Sequence, residues 1–131
     1  MIARTESPLY FRPCLVLADS NSAQAALTGR QFRRLGWEVH LASSGPEARR
    51  MARLLAPQVV VLDTALRDES GWLTCAKLTV GGGRERVILV ADNEDDRDDQ
   101  FAEFAGATRI VTRDEGLDPL LEEVGIVAPA A

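Results

Sequence analysis

The feature that most limits how this chain can fold is a regular alternation: five short apolar runs of strand length, separated by segments with helical spacing. The runs are "LVLAD" (15–19), "WEVHLA" (37–42), "QVVVLD" (58–63), "RVILVAD" (86–92) and "RIVT" (109–112). "VVVL" shows no polar alternation, so that strand must be covered on both faces, as happens when a parallel sheet lies between two helical layers. The intervening segments supply those layers. Residues 22–35 set Ala25, Thr28, Phe32 and Leu35 on one stripe behind Asn21 or Ser22 as cap. Residues 46–55 repeat the pattern with Ala48, Met51, Ala52 and Leu55, capped by Ser44, with Pro46 and Glu47 in the first turn. A third helix starts near Gly71, carries Trp72, Cys75 and Ala76 on one face, and stops at "GGG" (81–83). The fourth spans 95–105 with Phe101, Phe104 and Ala105. The fifth, with Asp118 as cap and Pro119 in its first turn, places Leu117, Leu120, Leu121 and Val124 on one side.

These elements define a doubly wound α/β sandwich. With 131 residues, 46% of them hydrophobic, the chain suffices for one domain around one core. In such sheets, ligands and chemistry collect at the carboxyl ends of the strands, near the point where strand order reverses. Asp19, Asp63 and Asp92 close three of the strands there. An ionised carboxylate is strongly disfavoured inside a core, whereas at a strand's last position its head reaches solvent, a cation or a basic side chain. The run ending in Asp63 therefore reads as a buried strand whose tip is the floor of a crevice.

Charge and cysteine usage narrow the partners. Fifteen Lys and Arg stand against 20 Asp and Glu, a formal net charge of −5, which disfavours nucleic-acid backbones and anionic membranes. Cys14 and Cys75 lie in apolar segments and read as buried free thiols of a reducing cytoplasm, with a single disulfide as the alternative. No apolar stretch approaches the roughly 20 residues of a membrane span, and "MIARTESPLYFRP" has no apolar block of signal-peptide length.

In its register of strand ends the chain resembles the receiver domains of two-component response regulators, the CheY-like family. The resemblance covers residues 14–124, leaving a leader at 1–13, expected to be disordered, and a tail at 125–131. It implies a five-stranded parallel sheet of order 2-1-3-4-5 with five helices. Counting without a gap from Asp19, on the first acid of the family's acidic pair, the phosphoacceptor position falls on Asp63. The same count puts the family's Ser/Thr position on Ala91 and its lysine position on Arg113. "LGW" (35–37) and Gly71 match a Gly-aromatic pair and a loop-ending glycine.

The resemblance also implies a Mg²⁺ site at Asp19, Asp63 and the backbone carbonyl of Ala65. Ser20 stands where a second acid is expected, so one ligand charge is lost and Mg²⁺ binding is weakened. Ala91 lacks the hydroxyl that would hydrogen-bond a phosphoryl group, a contact worth roughly 1.5–3 kcal/mol. Ile110 replaces the aromatic residue of the family's switch. Arg113 can bind phosphate bidentately in place of lysine, or pair permanently with Asp63 and hold the crevice in one state. The family's following proline is absent from "TRDEG". Asp92 has two readings, a substitute for the ligand lost at Ser20 or a solvated acid opening "DNEDDRDD", of which the second leads.

The first expectation is a receiver-type signalling module, not an enzyme, that works mainly by protein–protein contact with a histidine kinase or a downstream regulator. Its alternative is a phosphoacceptor that takes a phosphoryl group from a histidine kinase onto Asp63 with Mg²⁺. A homodimer through the fourth helix, fifth strand and fifth helix would pair Asp95, Asp96, Asp98 and Asp99 with Arg109 and Arg113. A flavodoxin-like ligand-binding domain ranks last, because "DSNSAQ" stands where a glycine-rich phosphate turn would be. "GGGRER" lacks the Gly-Lys-Ser/Thr ending of a phosphate loop. His40, the single histidine, sits in a strand without a partner Cys or a second His, so it is read as neither a metal ligand nor a triad member. Trp37 and Trp72 read as packing residues. Gly29, inside the first helix, costs about 1 kcal/mol relative to Ala and suggests close approach to the sheet. Whether the chain stands alone or is a piece of a longer regulator is left open.

Overall fold

The run that ends in Asp63 forms the middle of the sheet, as its lack of polar alternation requires. In the computed structural model, which describes residues 12–127, the strands are β1 (Cys14–Ala18), β2 (Glu38–Ala42), β3 (Val59–Asp63), β4 (Arg86–Ala91) and β5 (Arg109–Thr112). All pairings are parallel, in the order β2-β1-β3-β4-β5. The helices are α1 (Ser22–Arg34), α2 (Gly45–Leu55), α3 (Gly71–Val80), α4 (Asp99–Ala105) and α5 (Asp118–Val127). Every residue of β3 is buried. Alternate β3 side chains feed two cores: Val60 and Leu62 pack with Ala48, Ala52, Cys75 and Leu78, while Val59 and Val61 pack with Phe32, Trp37, Leu120 and Val124. This is the doubly wound arrangement expected from the alternation.

Helix starts follow their caps. Asn21, not Ser22, caps α1 by accepting from the Gln24 amide. Ser44 and Ser70 cap α2 and α3 in the same way, accepting from Glu47 and Leu73. The fourth helix differs from its expected span. Asn93 caps a 3₁₀ turn at Glu94–Asp96, Arg97 goes extended, and Asp98 caps a new helix by accepting from the Phe101 amide. Polar side chains that bond nearby amides divide that segment into two short pieces.

Four expected stripe positions are exposed. Leu35 is exposed because α1 ends at Arg34 and Gly36, at φ +98°, turns the chain so that Trp37 enters the core instead. Leu55 is exposed beside the left-handed Ala56 that ends α2. On α4 the buried residues are Ala102 and Ala105, and both Phe101 and Phe104 are exposed. Both cysteines are free thiols, with Cys75 buried and Cys14 only half-buried. Apart from Arg12 and Pro13, the leader read over 1–13 lies outside the described residues, as does the end of the tail. Helix α5 runs past 124 because Val127 still packs on the second core. No helix among the described residues is long and apolar enough to cross a membrane.

Two glycines of opposite character lead to a prediction. A β-carbon on Gly71 would collide with the carbonyl of Asp63, so α3 can start beside the site only with glycine there. A β-carbon on Gly29 would meet Leu41 at 3.4 Å and Val39 at 3.6 Å, which is ordinary contact. Gly29→Ala should therefore stabilise the fold by about 0.5–1 kcal/mol, and Gly71→Ala should destabilise it and shift the Asp63 loop. Urea unfolding of both variants checks this pair of opposite signs.

Candidate functional site

Parallel pairing carries the strand ends to one rim. Each ladder continues one residue past its strand: the Asp19 amide donates to Ala42, Thr64 to Val90, and Arg113 to Ala91. The loops that hold the polar residues thus start from fixed backbone. Asp19 and Asp63 are both buried, at 4% and 7% exposure. The Asn21 amide donates to Asp19 Oδ1 at 2.9 Å and Gln24 Nε2 donates to Oδ2 at 2.8 Å. Asp63 Oδ1 accepts from the Ala65 amide at 2.9 Å. Its Oδ2 accepts from Arg113 Nη1 at 2.9 Å.

The same Nη1 donates to Asp92 Oδ1 at 2.9 Å, and Arg113 Nη2 lies 3.7 Å from Asp19 Oδ2. One guanidinium thus bridges three carboxylates, which leaves the cluster net negative when all are ionised. Asp92 is solvent-exposed, and its carboxylate is held by Arg113. Burial pushes the Asp63 carboxyl above its ordinary range; the Ala65 amide and Arg113 pull it back, and neighbouring Asp19 adds to the rise. A pair of buried carboxylates with this mutual repulsion is a hard-oxygen donor set of the kind Mg²⁺ takes.

The Ser20 hydroxyl is already engaged by two backbone groups, and Ala91 has no hydroxyl. Ser20 Oγ donates to the Ser43 carbonyl at 3.0 Å and accepts from the Arg67 amide at 2.8 Å. It ties together the loops after β1, β2 and β3. Ala91 is fully buried, a methyl group under the rim. Ile110 is buried within the first core. After β5, Thr112 Oγ1 donates to Asp114 and the Gly116 amide donates to the Arg113 carbonyl, with Gly116 at φ +91°. This turn, rather than a proline, shapes the loop that aims Arg113 inward.

Sequence reading missed two positioning residues. Gln24, in the first turns of α1, becomes visible only once Asp19 is known to face it. Glu69 is the other. Its side chain, 6% exposed, accepts from Arg49 Nε at 3.0 Å and Nη2 at 3.1 Å, from Lys77 Nζ at 2.8 Å, and from Thr74 Oγ1 at 2.6 Å. It fastens the loop that begins at Asp63 to α2 and α3. Nothing local marks it, since "RDES" looks like any polar turn.

Comparison with known proteins agrees with this fold. The profile of the response regulator receiver domain matches residues 15–125. Solved structures with the same fold include the receiver domain of a putative Luxo repressor protein from Vibrio parahaemolyticus, at 19% identity and TM-score 0.79, covering 89% of this chain and 90% of that one. The chemotaxis protein CheY4 of Vibrio cholerae matches at 16% identity and TM-score 0.82, with coverages of 89% and 99%. A putative response regulator from Chloroflexus aurantiacus matches at 19% identity and TM-score 0.82, covering 89% and 98%. Comparison with curated protein sequences gives no match. The fold and the matched profile define a signalling module of the receiver type. The chain belongs to the response regulator receiver domain family, whose members generally bind Mg²⁺ in an acidic pocket.

The Glu69 network sets a pH dependence. Burial raises its pKa, but Arg49, Lys77 and Thr74 outweigh burial and hold it at about 2, against 4.5 for a free glutamate. A depressed pKa stabilises the fold above the unfolded value and loses that contribution as pH falls from 4.5 to about 2. Asp63, shifted upward, works the other way: its ionised form opposes folding, and protonation relieves that cost. At neutral pH wild type should exceed Glu69→Gln by roughly 2–4 kcal/mol in urea unfolding. The gap should close on acidification below the ordinary glutamate range.

Proposed function

We propose that this receiver domain signals mainly by protein–protein contact, from a crevice that Arg113 holds in one state, with phosphoryl chemistry at Asp63 weak or unused. The observation that carries this reading is Arg113 Nη1 donating to Asp63 Oδ2 at 2.9 Å, with no hydroxyl at Ala91 to receive a phosphoryl group. In this reading Arg113, at the family's lysine position, acts as a resident counter-ion, and Asp63, at the phosphoacceptor position, is its buried partner. A phosphoryl group on Asp63 would have to displace or reorient a guanidinium already shared among three carboxylates. It would also lack a contact worth roughly 1.5–3 kcal/mol. The partner is a histidine kinase or a downstream regulator, and two free thiols suit a cytoplasmic setting.

The second reading, Mg²⁺-assisted transfer of a phosphoryl group from a histidine kinase to Asp63, is favoured by the Asp19–Asp63 pair. Mg²⁺ would be held by these carboxylates and the Ala65 carbonyl, weakly because Ser20 supplies no charge. The homodimer loses much of its electrostatic support. Arg109 pairs with Glu123 at 3.1 Å within the chain, Asp99 with Arg97 at 2.6 Å, and Asp98 is spent as a cap. Arg113 is turned into the crevice.

Beryllofluoride with Mg²⁺, followed by tryptophan emission, tests the choice. Trp72 is half-buried next to Gly71, which packs on the Asp63 carbonyl, and it contacts Phe101 at 5.1 Å between ring centroids. The first reading expects no saturable quenching up to high millimolar Mg²⁺. Saturable quenching that Asp63→Asn abolishes would establish the second instead.

A further inference from the structure

Parallel pairing of β1 and β2 sets Cys14 opposite Glu38, and Val16 opposite His40. Val16, Ala18 and Ala42 belong to the first core, so by strand alternation Cys14, Glu38 and His40 all project from that same sheet face. Their sulfur, carboxylate oxygen and imidazole nitrogen lie within 4.8 Å of one another. The sequence alone gave His40 no cysteine partner; the fold supplies one, because strand pairing joins residues far apart along the chain.

We propose that Cys14, Glu38 and His40 form a binding site for a borderline-soft divalent metal, Zn²⁺ as the expected ion, with a fourth position open to water. The donor set carries the assignment. A thiolate, an imidazole and a carboxylate are the ligand types Zn²⁺ uses, and three protein ligands plus water is a common Zn²⁺ arrangement. The same set suits Mg²⁺ poorly, since Mg²⁺ prefers oxygen. Tetrahedral Zn²⁺, with bonds of about 2.0–2.3 Å, needs donor separations of about 3.3–3.6 Å. His40 Nε2 and Glu38 Oε2, now 2.7 Å apart, would open slightly to admit the ion, and the sulfur would close by side-chain rotation. Cys14 and His40 are half-buried and Glu38 is exposed, so the site is held by rigid strands yet open to solvent on the edge strand β2.

Binding replaces the Cys14 S–H bond by an S–Zn bond and releases the thiol proton to water, and the imidazole binds as the neutral ring through Nε2 with its proton on Nδ1. The site lies at the starting ends of the strands, about 16 Å along β1 from Asp19. It is therefore separate from the acidic crevice. A metal there would clip the edge strand to β1 and stabilise the folded chain in proportion to its occupancy.

Co²⁺ titration of the reduced, tag-free chain tests this, because a cobalt–thiolate bond gives an intense near-ultraviolet band that carboxylate or imidazole sites lack. The chain has one histidine and two cysteines, and Cys75 is fully buried, so the signals are assignable. We expect one Co²⁺ per chain with that band, displaced by Zn²⁺, lost in Cys14→Ser, and weakened in His40→Gln and Glu38→Gln. Zn²⁺ should also raise the Tm of the wild type and not of Cys14→Ser, and should shift the His40 ring signals in NMR. Absence of the band in wild type, or an unchanged band in Cys14→Ser, overturns the proposal. Should Cys14→Ser fold poorly, unmoved His40 ring signals under Zn²⁺ in wild type overturn it independently.

Discussion

The ion pair between Arg113 and Asp63 is the interaction on which the functional account rests. Asp63 is the tip of a strand buried along its whole length, so its charge has little water to stabilise it. Burial of an ionised carboxylate costs several kcal/mol unless a partner offsets it. The offset here is a guanidinium that is 18% exposed in its side chain and shared with Asp19 and Asp92. A lysine ammonium is a compact point charge, whereas Arg113 is a planar fork able to hold several carboxylates at once. The substitution at this position therefore changes what the crevice contains at rest, as well as what it could grip.

The rest of the rim is built around that pair. Ser20 spends its hydroxyl joining three loops, Ala91 places a methyl group under the rim, and Thr112 turns to Asp114. Glu69 anchors the far end of the Asp63 loop with four donor contacts from Arg49, Lys77 and Thr74. Polar groups at the site are thus satisfied within the chain, which favours a single stable arrangement over a movable one. A protein partner that reads a fixed surface fits this better than a switch driven by a moving hydroxyl and aromatic ring.

Much of this was legible in the sequence, because the signals were repetitive. Apolar runs ending in Asp19, Asp63 and Asp92 gave strands, sheet type and the crevice edge, and the register shared with receiver domains pointed to Ala91 and Arg113. Caps were legible where the first turn itself was marked, as at Ser44 ahead of Pro46 and Glu47. They were not where several competed, and the acids of "DNEDDRDD" split one expected helix into a turn and a short helix. Contacts between distant segments left no local trace. Gln24 against Asp19, Glu69 against Arg49, and Cys14 beside His40 follow from strand register and helix placement, neither of which a short window of residues encodes. The exposure of Leu35 and Leu55 has a similar cause: helix periodicity assigns a face, but where the helix ends decides which member of it is covered.

A double-mutant cycle on Arg113→Ala and Asp63→Asn, read by urea unfolding at pH 7, tests the central claim most directly. If the pair holds the crevice, Arg113→Ala alone should be destabilising and should cost much less in the Asp63→Asn background. The expected coupling energy is about 1–3 kcal/mol. Additive effects, with no coupling beyond experimental error, would contradict the account.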